Sequence, residues 1–250
     1  MSTLLSKNVS SGVKRGLLLA TLTLITATTL QAEEFKSAAS VTLISDYLYR
    51  GISQTNEGPA LQASLTLQHQ TGAYVSAWGS NIKFGDGSME LDLSAGYLWQ
   101  LNPDWKLDLG LMQYRYPKGD NSSTEFNFVE AYGKLSYQQL TVGLAITDDY
   151  FAAGVGKFAY WSADWNQQLS NQLLLQWHLG YNQFANALEY KNFMAASNES
   201  DQGYADWQLK LQTSQLGFDW GLAYAGTSVD AAACTALCDN RVLVSVSKSF

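Results

Sequence analysis

Two histidines, His69 and His178, and two cysteines, Cys234 and Cys238, carry all the imidazole and thiol chemistry open to this 250-residue chain. His69 falls at a turn and His178 inside a run of alternating polarity. Neither sits in a nucleophile motif, where a base must lie beside a Ser, Cys or Thr and be oriented by a third group. The chain has no GxxxxGK[ST] phosphate loop, no HExxH helix and no zinc-ligand cluster. Cys234 and Cys238 stand four apart in CTALC with only Asp239 as a neighbouring ligand. A small loop disulfide is the reading for an exported chain, free thiols the next and a metal site the last. We therefore assign no catalytic, cofactor-binding or metal residues, expect no cofactor, and read the chain as a non-enzyme. An outer-membrane enzyme acting through His178 is the weakest of three functional alternatives.

The remaining chemistry is electrostatic and depends on how strands present charge. Charged residues make up 15% of the chain and aromatics 13%, against about 25% charged in ordinary soluble domains. The first 32 residues stand apart. Lys7, Lys14 and Arg15 precede the apolar run Leu17–Leu30 and then Leu30-Gln31-Ala32, the layout of a cleaved signal peptide. Removing three of the 15 Lys and Arg leaves 12 basic against 22 acidic residues, a net charge of −10 that argues against nucleic acid as a partner. Residues 33–250 are read as a single domain.

That domain alternates with period two. Leu61, Ala63, Leu65 and Leu67 interleave with Gln62, Ser64, Thr66 and Gln68, and Leu173, Leu175, Trp177, Leu179 and Tyr181 mark another face. Leu216, Phe218, Trp220, Leu222 and Tyr224 mark a third. Twelve strands are expected, many about 10 to 13 residues long, as a tilted membrane-crossing strand requires. Connections alternate between short turns (His69 to Gly72, Leu101 to Asp104, Gln138-Gln139, Gln168 to Asn171, Thr213 to Gln215) and longer loops (Gly51 to Gly58, Gly85 to Ser88, Pro117 to Ser123, Phe151 to Gly156, Ala185 to Gln202, Thr227 to Asn240). Short turns on the periplasmic side and long loops outside are the rhythm of outer-membrane barrels. Tyr47, Tyr49, Tyr97, Trp99, Trp105, Tyr137, Tyr181 and Tyr224 fall toward strand ends, where interfacial girdles form. The chain closes on Val242, Val244, Val246 and terminal Phe250, with Lys248 interrupting that face. Every backbone group in hydrocarbon must be paired internally, so the expected fold is all-β, a closed antiparallel up-and-down transmembrane β-barrel of about 12 strands.

Parity then points a set of charges inward. Asp46, Arg50, Glu90, Asp92, Lys106, Asp108, Glu130, Lys134, Asp164, His178, Asp206, Lys210, Asp219 and Arg241 are the expected lumen-lining residues, eight acidic and five basic with His178 neutral. Such a surplus would bias a pore toward cations. Asp46 and Arg50 are expected on one face of the first strand, paired with charges on neighbouring strands. Gly79 is placed on the inner face beside Trp78, relieving crowding or leaving room for a ligand.

The segment VTLISDYLYRGISQT, Val41 to Thr55, resembles the opening of the TorF family of porins, also catalogued as exported proteins of unknown function. Pro59-Ala60-Leu61-Gln62, Tyr74 to Asn81, Glu90-Leu91-Asp92-Leu93 and Gly96-Tyr97 extend the resemblance. It implies an outer-membrane barrel with a transport role, and carries over no substrate and no site residue. The leading expectation is passive diffusion of small polar or cationic solutes; the alternative is a surface barrel that binds a partner through its long loops. The expected partners are outer-membrane lipid, the assembly machinery and an unidentified small solute.

Overall fold

The computed structural model describes residues 34–83, 87–117, 126–195 and 200–250. The signal-peptide reading of residues 1–32 lies outside them. In chain order the elements are β1 (Phe35–Ile44), β2 (Leu48–Tyr49), β3 (Ile52–Ser53), β4 (Ala60–His69), β5 (Ala73–Asn81), β6 (Met89–Gln100), β7 (Trp105–Arg115), β8 (Phe128–Tyr137) and β9 (Leu140–Thr147). Then come β10 (Phe158–Ser170), β11 (Leu173–Phe184), helix α1 (Ala187–Met194), β12 (Gly203–Gln215), β13 (Phe218–Thr227), the short helix α2 (Ala231–Cys234) and β14 (Arg241–Ser249).

Twelve of the strands close into one antiparallel barrel, all but β2 and β3. The seam is β1 against β14, from Ser40 opposite Ser249 to Ile44 opposite Ser245. Backbone bonds between Phe250 and Ala39 extend it to the last residue. Closure removes the unpaired edge that hydrocarbon would not tolerate. Which face is apolar shows what the barrel sits in. Leu65, Val75, Leu93, Leu111, Leu179 and Leu222 are exposed, while Glu90, Glu130 and Asp206 inside are at most 2% exposed. A water-soluble barrel would have the opposite arrangement, so the outer surface is lipid-facing. Tyr97 lies 4.4 Å from Trp99 and Trp105 4.6 Å from Tyr137, ring centre to ring centre, at the end with the short turns. Lys248 resolves its place on an apolar strand by reaching that same end: its Nζ donates to the Gly217 carbonyl at 2.8 Å.

Four expectations need correction. The turn expected at Thr213 to Gln215 is Leu216-Gly217, because both residues take positive φ (55° and 76°), the twist that a two-residue hairpin turn needs. Leu216 therefore sits at the turn tip and not on the lipid face. Gly79 lies opposite Ala63 and Leu91 on the outer face. Trp78 points inward instead, its ring 5.2 Å from that of Tyr47. Finally, β1 stops at Ile44, so Tyr47 and Tyr49 belong to no girdle and Asp46 and Arg50 to no barrel strand.

The chain from 45 to 59 folds into the barrel. Leu48 pairs with Ser53 and Tyr49 with Ile52, with Arg50-Gly51 as the two-residue turn between them. Their φ values of 49° and 81° supply the required twist. Asp46 ties the base of this hairpin: Ser53 Oγ donates to its Oδ1 at 2.7 Å, and Arg241 of β14 donates to its Oδ2 at 2.5 Å. The tip abuts β12 and β13, where a Cβ on Gly51 would stand 2.3 Å from Thr227 of β13 and 2.8 Å from Asp206 of β12.

Above the hairpin, toward the long-loop end, the barrel is filled by side chains. Tyr150, Phe158, Phe184 and Tyr204 are each at most 2% exposed. Tyr150 stacks on Phe158 at 3.9 Å. Helix α1 adds Tyr190 and Met194 to this cluster, and its start is capped by Asn186, whose side chain accepts from the Glu189 backbone at 3.0 Å. Cys234 and Cys238 form a disulfide, with Cα atoms 5.6 Å apart.

Candidate functional site

Below the hairpin the lumen is open and polar. Two adjoining lobes of about 570 and 600 Å³ share Arg50, Lys134, Tyr160, Asp164 and His178 in their walls. The first lobe also shares Gln68 and Leu98 with a cavity of about 560 Å³ at the short-turn mouth. Beyond the hairpin, a separate pocket of about 440 Å³ is lined by Tyr49, Ile52, Phe151, Phe193, Met194 and Leu237 among others. Tyr49 faces both this pocket and the chamber. Among the described residues, the hairpin is thus the partition between a polar chamber and an aromatic outer pocket.

Alternation along each strand aims polar side chains at the chamber, and cross-strand glycines make room for the larger ones. Tyr160 lies over Gly180, where an added Cβ would fall 2.2 Å from its hydroxyl and 2.5 Å from Asp206 Oδ2. The tyrosine ring can lie flat only because Gly180 has no side chain.

The fourteen charged positions separate into four groups. Arg50, Asp108, Glu130, Lys134, Asp164, His178, Asp206 and Lys210 border the chamber. Glu90 and Asp92 lie inside but are buried; Glu90 accepts from the Tyr116 hydroxyl at 3.0 Å. Asp46 and Arg241 pair with each other at the base of the hairpin. Lys106 and Asp219 sit near the short-turn rim, Asp219 accepting from Ser214.

Within the chamber most carboxylates already have donors. One Arg50 nitrogen, Nη2, donates to both oxygens of Glu130 at 2.8 and 2.7 Å, and the Tyr114 hydroxyl donates to the same group at 3.0 Å. Asp108 accepts from the Tyr74 hydroxyl at 2.7 Å. His178 bridges two acids, with Nδ1 2.7 Å from Asp164 and Nε2 3.1 Å from Asp206. Asp206 also accepts from Asn182 Nδ2 at 2.9 Å and from the Tyr160 hydroxyl at 3.2 Å. Arg50 itself is sandwiched by aromatics, 4.2 Å from the Tyr160 ring centre and 4.9 Å from that of Tyr49. Among the described residues, no group of three or more His, Cys, Asp or Glu is placed to hold a metal ion.

The tyrosines and Asn182 that hold these acids went unmarked in the sequence, although inward glycines opposite tyrosines, such as Gly96 opposite Tyr74 and Gly110 opposite Tyr132, are a legible sign of them.

Comparison with known proteins follows the same lines. The fold is similar to the KdgM porin, with a TM-score of 0.55 at 11% identity, covering 85% of this chain and 99% of that one. It is also similar to the NanC porin, with a TM-score of 0.50 at 12% identity, covering 84% and 97%. At such identities the likeness establishes the fold. None of the curated proteins matches the chain. A family model does match residues 29–250, the whole of the barrel, and the chain belongs to that family, described as bacterial protein of unknown function (Gcw_chp).

Proposed function

We propose that this barrel is an outer-membrane porin-like channel for passive diffusion of small polar solutes, closed at its outer end by the β2–β3 hairpin in the conformation described. The observation that carries this reading is the polar chamber, which shares Gln68 and Leu98 with the cavity at the short-turn mouth and is separated from the outer pocket by one short hairpin. The likeness to two barrels named as porins supports it. Export through a cleaved signal peptide, delivery by the assembly machinery and residence in outer-membrane lipid belong to the same proposal.

His178 supports a channel over an enzyme. Its two ring nitrogens are taken up by Asp164, Asp206 and Tyr160, with no Ser or Cys among the described residues hydrogen-bonded to either. The test is swelling of liposomes carrying the barrel with residues 47–54 replaced by a short Gly-Ser turn. Uptake of neutral sugars that falls with sugar size is expected. A folded variant barrel that admits no sugar would overturn the reading.

The second reading is a surface barrel that binds a partner through its long loops. The filled outer half of the lumen favours it to that extent. It differs from the channel reading in expecting no solute flux after the hairpin is shortened.

A further inference from the structure

The chamber's charges are close to numerical balance, but they are not equally engaged. Asp108, Glu130, Asp164 and Asp206 each accept from tyrosine, arginine, histidine or asparagine donors. The cations differ. Lys134 borders both lobes and Lys210 the second, and neither has a carboxylate within ion-pair distance among the described residues. Asp108 stands directly opposite Lys134 across β7 and β8, but its Oδ1 accepts from Tyr74 and no ion pair with Lys134 forms. Lys210 lies along Gly221, whose missing side chain leaves it room.

Arg50 is the third cation of the chamber. Its side chain is 6% exposed, and its Nη1 has no hydrogen-bond partner among the described residues, although Arg50 borders both lobes. That nitrogen is fully buried among the rings of Tyr49, Tyr150, Phe158 and Tyr160, so Arg50 gives a solute no direct contact through it. Among the chamber acids, Glu130 is paired with Arg50, and Asp164 and Asp206 share His178.

We infer that the chamber is a binding site for small organic anions, carboxylate-bearing solutes held between Lys134 and Lys210. The inference rests on the channel reading for its biological meaning, but binding can be measured without conduction. Citrate and choline are titrated calorimetrically into the detergent-folded barrel, wild type and K134Q/K210Q, with heat-modifiable migration confirming that both are folded. Citrate is expected to bind the wild type, choline to bind at least tenfold more weakly, and the double substitution to weaken citrate at least tenfold. Equal or tighter binding of choline, citrate binding unchanged in K134Q/K210Q, or no citrate binding by the wild type would each overturn the site. Solute flux through the hairpin-shortened barrel then stands or falls separately, so failure of the anion site and failure of the channel reading are told apart.

Discussion

Arg50 concentrates the energetics of the partition. It is a buried cation, matched to the buried Glu130 and stacked among rings. Removing one member of such a pair leaves the other charged in a poorly solvated place, which costs about 3–5 kcal/mol. Arg50→Ala is therefore expected to lower the urea midpoint of the folded barrel strongly. Adding Glu130→Gln to it should recover much of that loss, since the orphaned charge is gone; equal midpoints for the single and double variants would contradict the pairing. Arg50→Lys should not substitute well, because an ammonium lacks the planar face that lies over Tyr160.

At the scale of elements, the hairpin and the barrel strands were not equally legible. The strands announced themselves through period-two polarity, and the turns at Leu101 to Asp104 and Gln138-Gln139 were read in place because each connects two clear runs. The inward hairpin is less legible, although Arg50-Gly51 between Tyr49 and Ile52 has the composition of a two-residue turn. Val41 to Arg50 continues an alternating pattern, and what ends β1 at Ile44 is remote. Asp46 is held by Arg241, 195 positions away, and Arg50 by Glu130, 80 positions away. No local window contains those partners. The Cys pair was legible as a small loop, whereas its tie to the hairpin was not: Arg241 donates to the backbone carbonyl oxygens of Ala236 and Asp239 as well as to Asp46. Replacing both cysteines by Ser is expected to leave the barrel assembled but to speed trypsin cleavage after Arg241. Unchanged cleavage would show that the disulfide does not brace this loop.

For the whole molecule, the decisive property is the inverted distribution of polarity. Parity along the strands was enough to predict it, because each residue step turns the side chain to the other face. At Trp78-Gly79 the alternation holds along β5 but with the facing opposite to that expected: the tryptophan faces inward and packs on Tyr47. The inversion has a direct consequence. Leu222→Arg places a charge on the lipid face and is expected to cost about 2–4 kcal/mol if that position lies near the midplane. Gln208→Arg points into the chamber and is expected to cost far less. Folding titrations in lipid vesicles would compare them, and equal losses would contradict the assignment of faces.

The central claim, a channel closed by its own hairpin, is tested most directly by single-channel conductance in a planar bilayer. Wild type and the barrel with residues 47–54 shortened are compared at matched salt and voltage. The expected result is a small or intermittent conductance for the wild type and a larger, steady one for the shortened barrel. A shortened barrel that is folded, inserted and no more conductive than the wild type would contradict the account.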